Sequence, residues 1–295
     1  MIYIFVFIFG AIIGSFLNVV ILRYNTGESV VYSGSRCLSC GKKLTWQELI
    51  PIFSFLIQKG RCRQCGSKIS WQYPIIETIT GIIFVSVVYK IFNFQFSISN
   101  QFSIFNFQSI FSLIFFWLIF SLLIIISVYD IRHQIIPNKF VYTLIILSLV
   151  SIFLDSPTLP DDIVGKVGAP TPLGVGVGIW DFLARILPGF LVGVGFFSFF
   201  GLLWLVSKGH WMGLGDAKIA LASGWLLGPI GGLIALFMSF WLGAIFGVFL
   251  LLFAPKKFKL ESRIPFGPFL ALGTLIAFLF GNNILQIYLN IAGRI

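Results

Sequence analysis

Eight apolar runs constrain this chain more than any motif in it; they lie near residues 2–22, 74–92, 108–128, 138–154, 183–206, 217–233, 234–253 and 266–290. A helix needs roughly 17–25 apolar residues to cross the hydrocarbon core of a bilayer, and backbone in that medium must hydrogen-bond to itself. Hydrophobic residues make up 58% of the sequence, charged residues 10%, and the mean hydropathy is +1.00, which excludes a soluble globular domain. The sequence therefore predicts an all-α polytopic membrane protein with about eight transmembrane helices. One boundary is open. Gly228-Pro229-Ile230-Gly231-Gly232 is either a hairpin between two spans or a break in one over-long helix across 217–253.

Basic residues set the orientation. With the N-terminus outside, the inside segments are 23–73, 129–139, 207–218 and 254–265, and they carry 16 of the 20 Lys and Arg residues. Lys90, Lys166, Arg185 and Arg294 are left outside. This is the positive-inside bias. The net charge of +10 is then topogenic and complementary to anionic membrane lipid, and it calls for no nucleic-acid partner. Met1 to Val20 lacks a basic n-region and a small-residue cleavage site, so it reads as a retained first helix. The domains expected are a first helix, 1–23, a cytoplasmic loop, 24–73, and a helical membrane core, 74–295.

That loop holds all four cysteines, as Cys37-x-x-Cys40 and Cys62-x-x-Cys65 with 21 residues between the pairs. Thiolates two residues apart in a tight turn supply two corners of a tetrahedron, and the following Gly41 and Gly66 free the backbone for the knuckle. Reduced thiols in a cytoplasmic loop favour a structural zinc; two disulfides are the alternative if the loop lies outside. A loop of about fifty residues has little core of its own, so the metal would supply much of its folding energy. Between the knuckles, Trp46 to Leu56 is apolar enough to lie on the membrane surface or on the helix bundle.

Two carboxylates stand at ends of apolar runs on the inside. Asp130 closes the run from Leu113 to Val128, and Asp216 sits in Gly213-Leu214-Gly215-Asp216, where it is expected to cap the next helix with Lys218 close by. An ionisable residue at the edge of a lipid-embedded segment is a functional hypothesis by default. Brought together, two carboxylates cannot easily both ionise, so one keeps a proton while the other acts as a base. His133 is either a modulator of Asp130 or simply solvated beside Arg132. Asn18, inside the first run, and Glu77, about one turn into the second, are either helix-packing groups or parts of a site. Residues 91–112, with Phe92-Asn93-Phe94-Gln95 recurring as Phe105-Asn106-Phe107-Gln108, read as an outside linker, and Asp155 to Gly178 as an outside loop whose Asp155, Asp161 and Asp162 are solvated.

Taken in order, Gly14 to Arg23, both cysteine knuckles with Ile50-Pro51 between them, Tyr73-Pro74 through Glu77, Asp130 with Ile136-Pro137, and Gly213 through Lys218 resemble the type IV prepilin peptidases. These are bifunctional leader peptidases and N-methyltransferases of bacterial pilus and type II secretion systems, and aspartic proteases of the Gly-x-Gly-Asp type. The resemblance departs at Glu48, where the family often has Asp. It implies a bacterial inner-membrane enzyme with Asp130 and Asp216 as a catalytic pair on the cytoplasmic side. It further implies prepilin or pseudopilin substrates, a methyltransferase-associated cysteine domain with zinc on Cys37, Cys40, Cys62 and Cys65, and S-adenosylmethionine as methyl donor. Glu77, Asn18 and Arg23 are candidates for binding that cofactor. Tyr129-Asp130 and the Gly-x-Gly-Asp turn also fit the presenilin and signal-peptide-peptidase class. That class gives no reason for a two-knuckle loop, and no Pro-Ala-Leu tripeptide lies near the C-terminus. A transporter using the two Asp as a cation site is the non-protease alternative.

Overall fold

The structure is a computed structural model that describes residues 1–98, 107–153, 179–210, 212–253 and 264–292. The middle of the Phe-Asn repeat, the loop 155–178 with its three Asp, and the basic segment 254–263 lie outside the described residues. Among the described residues the regular structure is helical, with only two isolated antiparallel bridges. Helix α1 is Ile2–Arg23, and a short helix α2, Phe53–Ile57, lies in the loop after it. Then follow α3, Gln72–Ile98, α4, Phe107–His133, α5, Asn138–Phe153, α6, Ile179–Ser207, α7, Leu214–Phe253, and α8, Gly267–Ala292. Six of them are long and apolar enough to cross a membrane, and α5 is a shorter apolar helix. The chain is a multi-pass membrane protein.

Helix α7 resolves the boundary left open by the sequence. Its 40 residues would run about 60 Å if straight, twice the roughly 30 Å of a hydrocarbon core. It breaks at Gly228, whose φ of 68° and ψ of −168° are not helical, and Pro229 follows with no N–H to continue the ladder. A Cβ on Gly232 would stand 3.3 Å from Gly224 Cα, whereas residues eight apart in a continuous helix are about 12 Å apart. The helix doubles back on itself and supplies two passes. With α5 the chain makes about the eight expected.

Two compact units divide the chain, Met1–Val128 and Tyr129–Ile295, and α4 runs through the boundary so that its last turn belongs to the second. In the first unit α1 lies against α3 through small residues. A Cβ on Gly10 would sit 2.8 Å from Gly81 Cα, and one on Gly14 would sit 2.8 Å from Glu77 Cα. Lipid offers no hydrophobic drive for helices to associate, so this close backbone approach is what holds the pair. Trp117 of α4 stacks on Phe84 of α3 at 4.7 Å and donates its indole N–H to Phe84 O. In the second unit the hairpin α7 is the centre. Gly224 meets Gly193 of α6, Gly273 of α8 meets Ala235 and Ser239, and Ser223 hydrogen-bonds Thr274 at 2.8 Å.

Gly14→Leu is expected to destabilise the first unit by about 1–3 kcal/mol, because the added atoms meet backbone and not a movable side chain. Gly195→Leu on α6, where nothing lies within 4 Å, should leave the melting temperature in detergent nearly unchanged.

Candidate active site and metal centre

Four helix ends meet in the second unit. The α4 helix stops where Gln134 takes a left-handed φ of 52° and donates its N–H to Asp130 O at 2.7 Å. Asp130 therefore projects from the last helical turn, only 5% exposed. Its Oδ2 accepts the N–H of Gly267, the first residue of α8, at 3.2 Å, where unsatisfied helix amides favour negative charge. A Cβ on Gly267 would come within 2.7 Å of that oxygen; no other residue type leaves the carboxylate where it is.

Asp216 is held in a parallel manner. Helix α7 begins at Leu214, so Asp216 is not the N-cap expected from the sequence but the third helical residue. Its Oδ2 accepts the Gly213 N–H at 3.2 Å, and its own N–H donates to Gly213 O at 3.1 Å. This is one half of a capping box, in which a side chain in the first turn satisfies an amide that the helix cannot. The side chain is 6% exposed and lies within Coulombic range of Asp130. Its Oδ1 is buried and has no hydrogen-bond partner among the described residues. Burying a polar atom without a hydrogen bond costs about 1–3 kcal/mol.

The glycines of the motif have different tasks. Neither Gly213 nor Gly215 has a positive φ. Gly215 is required by contact, since a Cβ there would fall 2.7 Å from both Cβ and Cδ1 of Ile136, and Ile136-Pro137 leads into α5. Lys218 does not turn to Asp216. Its Nζ donates to Asn138 Oδ1 at 2.9 Å and to Tyr142 Oη at 3.2 Å, over the Tyr142 ring, and so ties the start of α7 to α5. His133 is exposed and stacks on Tyr129, 4.4 Å between ring centroids. Chemically, two buried carboxylates close enough to repel, with one oxygen of each fixed by a backbone amide, are a pair in which one can hold a proton while the other acts as a base.

The cysteine loop in the first unit builds two matching turns. Cys37 N–H donates to Lys42 O and Gly41 N–H to Cys37 O; Cys62 N–H donates to Ser67 O and Gly66 N–H to Cys62 O, all at 2.9 Å. Gly41 and Gly66 take φ of 72° and 70°, as the knuckles need. All four Sγ atoms lie within 4.8 Å of one another, and Cys37 and Cys65 are 3.8 Å apart. A tetrahedron with Zn–S bonds of about 2.3 Å has edges of about 3.8 Å, while a disulfide needs about 2.05 Å. The cysteines are free thiols with the spacing of a four-sulfur metal site. The amides of Cys40 and Ser39 hold the Cys37 thiol down at about 6, which favours the ligating thiolate. Glu48 braces the first knuckle. It accepts from Thr45 N–H at 2.9 Å and pairs with Lys42 at 3.1 Å, and these contacts hold its carboxyl down at about 2.

Comparison with known proteins gives this geometry a context. Residues 8–91 match the family described as Bacterial Peptidase A24 N-terminal domain, and residues 117–248 match the Type IV leader peptidase family. A prepilin leader peptidase/N-methyltransferase of Bacillus subtilis is 31% identical over 286 residues, covering 97% of each chain. The chain belongs to the type IV leader peptidase family. Proteins of the same description from Xanthomonas campestris pv. campestris and Pseudomonas aeruginosa are 29% and 27% identical, over 96% of this chain in each case and 93% and 92% of theirs. No solved structure matches. Membership in this family sets aside the presenilin-like and transporter alternatives.

The three polar candidates in the family's N-terminal region are engaged in holding the first unit together. Asn18 donates to Gly14 O and Tyr73 O, both at 3.3 Å, and accepts from Gln72 at 3.2 Å. Arg23 donates to the carbonyls of Ser29, Ser33 and Gly34 and lies 3.6 Å from Glu28. Glu77 Oε2 accepts the Ile52 N–H at 2.7 Å. Gly267 and Ile136 are the residues that sequence reasoning did not assign. The signal for Gly267 was available, as a Gly ahead of Pro268 at a helix start on the same side as both Asp.

Atomic emission of the purified protein is expected to give about one zinc per chain. Cys40→Ser should reduce that content and open the 24–73 loop to protease while the helices stay intact; full metal content in the variant would show that the thiols are not the ligands.

Proposed function

We propose that this chain cleaves the basic leader from type IV prepilins or pseudopilins, using Asp130 and Asp216, and then N-methylates the new N-terminus. The observation that carries the peptidase half is the pair of buried carboxylates at one end of the second unit, within Coulombic range and each fixed by a glycine amide. One ionised carboxylate takes a proton from water as its oxygen attacks the scissile carbonyl, while the other, protonated, gives its proton to the carbonyl oxygen. The tetrahedral diol then collapses. The first carboxylic acid protonates the departing amine, the C–N bond breaks, and the second carboxylate recovers the proton of the diol. Two acids of unequal protonation suffice for this sequence, with no covalent intermediate.

The helix ends that hold both Asp also suit the substrate. A prepilin presents a basic leader in water and an apolar helix in the bilayer, so its scissile bond lies at the membrane face. The Lys and Arg bias supports placing that face in the cytoplasm of a bacterial inner membrane. Methylation rests on the relatives' shared description as N-methyltransferases. S-adenosylmethionine would supply the methyl group. Zinc on Cys37, Cys40, Cys62 and Cys65 would be structural, since four thiolates leave no open coordination position.

In proteoliposomes with a purified prepilin, Asp130→Asn and Asp216→Asn should each abolish leader cleavage while the protein still inserts. Gly267→Ala, which displaces Asp130 Oδ2 without touching its charge, should lower kcat about 10²-fold. Cleavage by either inserted Asn variant would remove that carboxylate from the mechanism.

A further inference from the structure

The short helix α2 is apolar on both sides. Phe55 turns inward, packing at a tilt against Trp71 with 4.8 Å between centroids and covering Gly60. Phe53, Leu56 and Ile57 turn outward and are 63%, 60% and 68% exposed, with Trp46 nearby in sequence at 73%. In a water-facing loop such a face would be a defect. Two contacts fix the depth at which it sits. Ile52, the residue before α2, hydrogen-bonds Glu77 at 2.7 Å, and Glu77 lies five residues into the span that opens at Gln72, about 7.5 Å along the helix. Trp71, against which Phe55 packs, immediately precedes that span. Ile52 takes a left-handed φ of 62° to make its contact, a conformation a β-branched residue adopts only when its surroundings impose it.

Charge points the same way. Between Glu48 and Glu77 the chain has no acidic residue and four cations, Lys59, Arg61, Arg63 and Lys68, all exposed. Of the two acidic groups that bound this stretch, Glu48 is paired with Lys42 and Glu77 accepts the Ile52 N–H.

We infer that α2 is an interfacial anchor: Phe53, Leu56 and Ile57 insert among the acyl chains of the bilayer that holds α1 and α3, and the neighbouring cations bind anionic phospholipid headgroups. A lipid surface fits better than a peptide groove because the apolar face lies at the depth of a span entrance and is flanked by positive charge with no ion-pair partner among the described residues. The four-cysteine knuckles are thereby fixed at headgroup level. The inference requires only that the chain spans a membrane and is independent of the peptidase reading.

The test places the photoreactive residue benzoylphenylalanine at position 53 or 57 of the full chain in nanodiscs. Position 82, on a lipid-exposed part of α3, is the positive control. Illumination should give phospholipid adducts at 53 and 57 in yields comparable to position 82. The yield should fall about fivefold when phosphatidylglycerol is replaced by phosphatidylcholine, or when Lys59→Gln and Lys68→Gln are combined in phosphatidylglycerol. Absence of lipid adducts at 53 and 57 while position 82 labels would overturn the anchor. Adducts to an added prepilin in place of lipid would also overturn it and assign the face to a peptide. Yields indifferent to lipid charge and to both Gln changes would overturn the headgroup interaction.

Discussion

Burying two carboxylates at the end of an apolar bundle is the constraint on which the second unit depends. An ionised carboxylate out of water costs several kcal/mol unless donors replace the lost hydration. Among the described residues each receives one backbone amide, Gly267 for Asp130 and Gly213 for Asp216. That is enough to orient the groups and too little to neutralise them.

Glycine makes this arrangement possible by allowing close approach, more than by unusual dihedral angles. Gly215 lets the start of α7 reach Ile136, Gly267 lets the start of α8 reach Asp130, and Gly224 lets the folded-back limb and α6 close on α7. Lys218, bound to Asn138 and Tyr142, adds a polar tie between α5 and α7 on the same end. The carboxylate pair is therefore positioned by several backbone contacts that a single Cβ would break. The first unit uses the same device at Gly10 and Gly14, where small residues bring α1 against α3 and place Asn18 and Glu77 to tie down the loop.

Much of this was legible in the residues. Apolar runs reveal spans because the bilayer leaves few alternatives, and two Cys-x-x-Cys-Gly turns reveal a four-thiolate site because the geometry is local. The two Asp stood out because charge at a membrane edge is rare. Less legible were features that depend on distant chain segments. Nothing near Asp130 indicates that its donor is 137 residues away at Gly267. Lys218 is two residues from Asp216 in sequence yet is drawn to α5, because Tyr142 offers both a ring and a hydroxyl. The hairpin in α7 was decided by Gly228, whose φ of 68° a sequence permits but does not require. Asn18 and Glu77 were equally open to helix packing and to a site, and Arg23 entered only through the resemblance; their hydrogen bonds to backbone carbonyls and amides emerge only when the loop is folded.

The most direct test of the account is mass spectrometry of a pilin N-terminus after incubation of a prepilin and S-adenosylmethionine with the detergent-purified protein. The account expects loss of the whole leader, with a further gain of about 14 Da on the mature chain once the new amine exists to accept a methyl group. An intact leader on several prepilins, with the purified protein folded, would contradict it.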